Sequence, residues 1–230
     1  MAKAKGSLTR KQLLKEPDQF ITFSGRLITF GRTHTRGLLI AAGVLMAVVL
    51  IGVIVRQVLD RNERVASELT GKAMATYSAA LQDTDPKTAF ERVKTDFATL
   101  FDQYGSTRAA KIARIEYGDI SYRAGDVDAA IAMYTQAMDD FGESSALRNI
   151  ILSGLGYAYT LKRAYAEAIR YFEMISSGSD ATLKGDAIFN MACLYALTGE
   201  KEKSLAMYKR LLADFPGSIY EPLAKEHIAG

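Results

Sequence analysis

Hydrophobic and polar positions divide this 230-residue chain into three unlike stretches. Residues 37–55 read GLLIAAGVLMAVVLIGVIV, with no charged, amide or hydroxyl side chain. As a helix this run spans roughly 28 Å, near the hydrocarbon thickness of a bilayer. Its Leu, Ile and Val residues contribute about −4 to −7 kcal/mol to insertion as an upper bound. A buried helix of a soluble core would carry a polar stripe, and this one carries none. A cleaved signal peptide would have a shorter head, a shorter apolar run and a small-x-small site in RQVLDRNERVASEL. The pattern therefore predicts a retained transmembrane helix over 37–56.

Beyond residue 56 the apolar positions recur at helical steps, and no stretch alternates long enough to be a strand. Val58, Leu59, Val65, Leu69, Ala73, Tyr77 and Leu81 form one stripe. It reads either as the inner face of a first helix pair or as a homodimer seam. Asp83-Thr84-Asp85-Pro86 ends that helix and caps the next. A longer period of 36–38 residues then emerges, the mark of a solenoid of helix pairs. Gly118, Ala130, Tyr134 and Ala137 recur as Gly156, Ala168, Phe172 and Ile175, and again as Ala192, Ser204, Tyr208 and Leu211. A weaker copy is Leu81, Val93, Phe97 and Leu100. Small residues let two antiparallel helices approach, and the aromatic plugs the gap to the next pair. The turn is glycine in two copies, Gly125 and Gly199, and Arg163 in the other. The third pair also departs at its end, where Ser179-Asp180 stand in place of an aromatic–small pair.

Charge sharpens the division. The formal net charge of +3 averages over a tail of eight Lys/Arg and two acids (1–36), Arg56, and a body of 20 Lys/Arg and 24 acids (57–230). The Lys/Arg-rich short tail predicts an N-terminus on the inner side. Within it, Phe20, Phe23, Leu27 and Phe30 share a helical face, with Arg26, Arg32, His34 and Arg36 around it. That face suits the lipid headgroup region or a partner membrane protein. The arm Lys3, Lys5, Arg10, Lys11 and Lys15 belongs beside anionic lipid rather than nucleic acid.

Candidate chemistry is sparse. Gly71-Lys72 has no phosphate loop before it, and Gly154-Leu155-Gly156 lacks a third glycine and a preceding strand. No nucleophile elbow surrounds Ser153, and His34 and His227 flank the span and cannot share a site. Asp139-Asp140 and the pair Glu200 and Glu202 read as solvated faces. Cys193, the single cysteine, has no basic neighbour to lower its pKa. No catalytic residue, cofactor or metal is expected.

The repeat resembles the tetratricopeptide repeat family, best at YGDISYRAGDVDAAIAMYTQAM (117–138), then LGYAYTLKRAYAEAIRYFEMI (155–175) and MACLYALTGEKEKSLAMYKRLLADFP (191–216). The resemblance implies an all-α chain: a tail (1–36), a transmembrane helix (37–56), a membrane-proximal helix with a divergent first repeat (57–85) and a solenoid (86–230). About three to four helix pairs would end in a capping helix, IYEPLAKEHIA. It also implies a protein-binding groove on the first helix of each pair. Its lining would be Ile112, Ile115, Asp119, Tyr122 and Arg123, then Ile150, Ser153, Tyr157, Thr160 and Leu161, then Asp186, Phe189, Cys193 and Leu197. The family's clamp for acidic C-termini is not expected, because Glu116 and Gly154 stand at two of its places and only Asn190 fits. The layout resembles the bacterial YfgM-type membrane-anchored repeat proteins. That implies an inner-membrane protein with a periplasmic C-terminal domain, and partners among the export translocon, its chaperones or exported chains. FPGSIYEPLAKEHIA is similar to the repeat domains of outer-membrane assembly lipoproteins, which lack a retained span. The alternative function is an envelope scaffold or dimeric tether recruited through the basic tail.

Overall fold

The structure, a computed structural model, describes residues 25 and 28–229, apart from the side chains of 145 and 146. Phe20, Phe23, Arg26, Leu27 and the basic arm lie outside the described residues. The chain is all-helical, and no strand occurs among the described residues. It divides into two compact units, Met1–Val58 and Leu59–Gly230.

In the first unit, residues 28–33 are helical and the long helix α1 (Thr35–Ala80) begins. Thr29 and Thr33 donate side-chain hydrogen bonds to the carbonyls of Gly25 and Thr29. The His34 ring stacks on Phe30 at 4.5 Å. Phe30, Arg32 and Arg36 are exposed. The apolar window of α1 buries none of its residues, so the protein interior does not account for its composition. Among the described residues it is the one helix long and apolar enough to cross a membrane.

The second unit is a stack of helix pairs. The last part of α1 is followed by α2 (Pro86–Tyr104), α3 (Arg108–Arg123), α4 (Val127–Phe141), α5 (Ser145–Leu161), α6 (Tyr165–Ser177), α7 (Lys184–Leu197), α8 (Lys201–Asp214) and α9 (Glu221–Ala229). Helix starts follow local chemistry. Asp85 caps α2 by accepting from the amides of Lys87 and Thr88, with Pro86 in the first turn, where its missing N–H costs nothing. Thr107 caps α3 and Asp126 caps α4. Between the helices of three pairs the chain turns through a left-handed residue: Gly125 (φ +81), Arg163 (φ +62) and Gly199 (φ +83). In each turn the next amide reaches back, as from Ala164 to the carbonyl of Tyr159 at 2.9 Å. Arg163 thus makes the glycine turn despite its Cβ, a conformation that costs about 1–2 kcal/mol.

Packing between helices depends on missing side chains. A Cβ on Gly118 would lie 2.8 Å from the Tyr134 ring, and one on Gly154 would lie 2.5 Å from the same ring. Tyr134 therefore sits against two glycines, one in its own pair and one in the next. Phe172 lies in the same way against Gly156, with 2.6 Å left for a Cβ. Ala130, Tyr134, Ala137, Ile151, Leu155 and Ala158 form one contiguous cluster across α4 and α5. The end of α1 joins the first cluster through Ala66, Ala73, Tyr77 and Ala80, packed with Phe90, Val93 and Phe97. Of the expected stripe, Ala73 and Tyr77 are buried here and Leu69 packs against them, which makes that part an inner face, while Val58, Leu59 and Leu81 are exposed. At the other end, Ala224 of α9 is buried in the cluster of Ile188, Ala192, Tyr208 and Leu211.

Candidate protein-binding groove

Helices α1, α3, α5 and α7 are the first helices of successive pairs, and contacts between neighbours run along one shared face. Glu63 of α1 accepts from the amides of Arg108 (2.9 Å) and Ala109 (2.8 Å), capping α3 from 45 residues away. The Tyr122 ring of α3 lies 6.4 Å from that of Tyr157 on α5. The Tyr157 hydroxyl donates to Asp186 on α7 at 2.9 Å. Phe189 of α7 stacks on Tyr220, just before α9, at 4.2 Å and 11°.

Two depressions lie on this face. The first, about 250 Å³, is lined by Ile115, Asp119 and Tyr122 from α3 and by Ile150, Ser153 and Tyr157 from α5. Tyr134, Gly154 and Leu183 complete it. Six of the groove residues expected from the sequence are thereby brought together. The apolar share is mostly Ile115, Ile150, Tyr122 and Leu183. Asp119 is held at its edge by Arg123, whose Nε donates at 2.8 Å, and that bond raises the guanidinium pKa further. Ser153 is buried.

The second depression, about 410 Å³, lies between α1 and α3. Gly71 and Thr70 of α1 and Ala109 of α3 line it along with Met74 and Ile112, and Glu63, Ser67, Arg108 and Glu116 are its polar residues. Ile112 belongs here rather than in the first depression. Glu116 is half-buried, and burial raises its carboxyl pKa. Its Oε2 is buried without a hydrogen-bond partner.

Toward α7 the face is closed. Asp186 receives the hydroxyls of Tyr157 and, at 2.5 Å, Tyr220. Asn190 donates to the Tyr157 hydroxyl (3.0 Å) and to the Asp186 carbonyl (2.8 Å). The hydrogen bond to Asp186, with burial, pushes the Tyr220 pKa up to about 12; burial first and then Asp186 raise that of Tyr157 as well. Tyr220 covers Phe189. Cys193 is half-buried, 3.5 Å from the Tyr208 hydroxyl, which puts it among core contacts. Thr160 bonds the Gly156 carbonyl of its own helix. Leu161 and Leu197 are exposed at the ends of α5 and α7 and line neither depression.

Several contributors were not expected from sequence. Tyr220 lies outside the repeat unit, and Gly71 has significance only opposite α3. Leu183 has a left-handed backbone (φ +63) just before α7, and only this placement puts it at the first depression.

Residues 186–218 match the tetratricopeptide repeat. That stretch covers nearly all of α7, then α8 and the turn after it, so the last helix pair is similar to a tetratricopeptide repeat (TPR), and the pairs before it share its helical-repeat arrangement. TPR repeats are protein-interaction modules and typically non-catalytic. No curated protein sequence matches the chain.

Proposed function

We propose that this protein is a membrane-anchored, non-catalytic module that holds other proteins in the open part of its first-helix face, between α1 and α5. The observation that carries the reading is the row of unpaired apolar side chains on that stretch. Ile112 is 36% and Ile150 43% exposed, beside two depressions that no segment of the described chain fills. A bound segment would gain by burying its side chains there. The apolar helix over 37–56 is its membrane anchor, and the Lys/Arg-rich tail supports an inner N-terminus with the repeats on the outer side. The resemblance to YfgM-type proteins supports a periplasmic setting, with the export translocon, its chaperones or exported chains as partners.

Both isoleucines are exposed, so Ile112→Asp with Ile150→Asp is expected to leave the fold intact, which circular dichroism checks. The double variant is expected to lose partner proteins that co-purify with the full chain after in-cell crosslinking. Undiminished recovery of the same partners would contradict the reading. Protease treatment of spheroplasts is expected to digest residues 57–230 and spare the tail.

A further inference from the structure

Glu116 stands out among the acids of the groove face. Asp119 has Arg123, Asp186 has two tyrosine hydroxyls, and Glu63 has the first amides of α3. Glu116 has none of these. One oxygen is cut off from solvent with no hydrogen-bond partner, and no ion pair joins the carboxylate to Arg108 among the described residues. A half-buried carboxylate in that state loses hydration without compensation.

Oε2 itself is sealed off, so a group in the notch between α1 and α3 would meet the accessible part of the same carboxylate, which lines it. A Cβ on Gly71 would meet nothing within 4 Å, so α1 leaves the opposite wall open. Met74 and Ile112 give that space apolar sides. The polar residues select the sign of a ligand. Glu63 already occupies the amides of α3, removing the helix terminus as an anion site, and two carboxylates outweigh the single guanidinium of Arg108. Apolar walls with a carboxylate suit a long side chain with an aliphatic stem and a cationic head.

We propose that the notch between α1 and α3 receives a Lys or Arg side chain of a bound partner segment, its stem along Met74 and Ile112 and its head on Glu116. This rests on the reading of the first-helix face as protein-binding and names the chemistry of what binds. The segment selected is basic with apolar neighbours, since Ile115 and Ile150 lie in the adjoining depression. An acidic segment would meet Glu116 and Asp119 unfavourably.

The test uses the full chain in nanodiscs of zwitterionic lipid, so that anionic lipid does not attract basic probes. A phage library of random ten-residue peptides is selected on the wild type, with empty nanodiscs as counter-selection. Enriched peptides are expected to carry Lys or Arg beside Leu, Ile or Phe. The best peptide, followed by fluorescence anisotropy, is expected to weaken about tenfold with Glu116→Gln and equally when its basic residue is replaced by Met. Gly71→Leu, which fills the notch, is expected to weaken it as well. Circular dichroism melting checks that both variants remain folded, and Glu116→Gln is expected to melt no lower than the wild type. Enriched peptides without basic residues, or peptides bound equally well by both variants, overturn the cation site while the groove stands. No enrichment over empty nanodiscs overturns both.

Discussion

Asp186 and Glu116 are carboxylates on first helices, toward opposite ends of one face, and their surroundings differ. Asp186 accepts from Tyr157 and Tyr220, and Phe189 beside it is covered by the Tyr220 ring. Glu116 has an unsatisfied buried oxygen and an open notch across from it. A saturated polar group stabilises the chain that supplies its partners, whereas an unsatisfied one costs folding free energy until something else supplies them. The chain has closed its groove near α7 with its own C-terminal segment and left it open near α1. The open end is the part that the proposed function assigns to a partner.

The contrast can be broken by moving side chains between its halves. The largest expected effect is on the packed middle. Gly154→Leu places a side chain into the Tyr134 ring and should cost about 3 kcal/mol in urea unfolding followed by circular dichroism. Asp186→Ala should cost about 1–2 kcal/mol by the same measurement, because it strips two hydroxyls of a charged acceptor. It should also free Tyr220 from Phe189, opening the closed end. Gly71→Leu should act in the opposite direction. It sits in a helix with nothing near its Cβ, so better helix propensity should add about 0.5–1 kcal/mol. A loss there would mean that the notch is narrower than its geometry indicates. The smallest effect is on the pH dependence of stability. Burial raises the Glu116 carboxyl above its ordinary 4.5, so the folded state holds the proton more tightly than the unfolded chain. Stability from this group therefore falls as pH rises from 4.5 through the raised value, and that component should be absent in Glu116→Gln.

Much of this was legible in the sequence because it is set within one helix pair. The apolar run over 37–55 needs no tertiary context, and the spacing of Gly118, Ala130 and Tyr134 reflects contacts between two adjacent helices. The Asp85-Pro86 start of α2 is local chemistry. The rest depends on register between pairs, which a repeat period does not fix. Tyr220 meets Asp186 from 34 residues away, and Tyr157 meets it from 29, pairings that no single repeat motif specifies. Gly71 carries no signal in the sequence, where no phosphate loop precedes it, and gains a place only once α3 lies opposite it. Arg163 breaks the glycine pattern in sequence, yet the fold holds it in the same left-handed turn, so the irregular copy is structurally regular. The groove residues divided for the same reason: Ile115, Tyr122, Ile150 and Tyr157 come together, while Leu161 and Leu197 lie beyond the ends of the face that neighbouring pairs share.

The most direct measurement is site-specific photo-crosslinking in intact cells, with the photoreactive residue at Ile112 or Ile150 on the open end and at Phe189 on the closed one. Discrete protein adducts are predicted from Ile112 and Ile150, with few from Phe189 until Asp186→Ala uncovers it. Adducts from Phe189 alone, or equal and diffuse labelling from all three positions, would contradict a groove that is open near α1 and sealed by Tyr220 near α7.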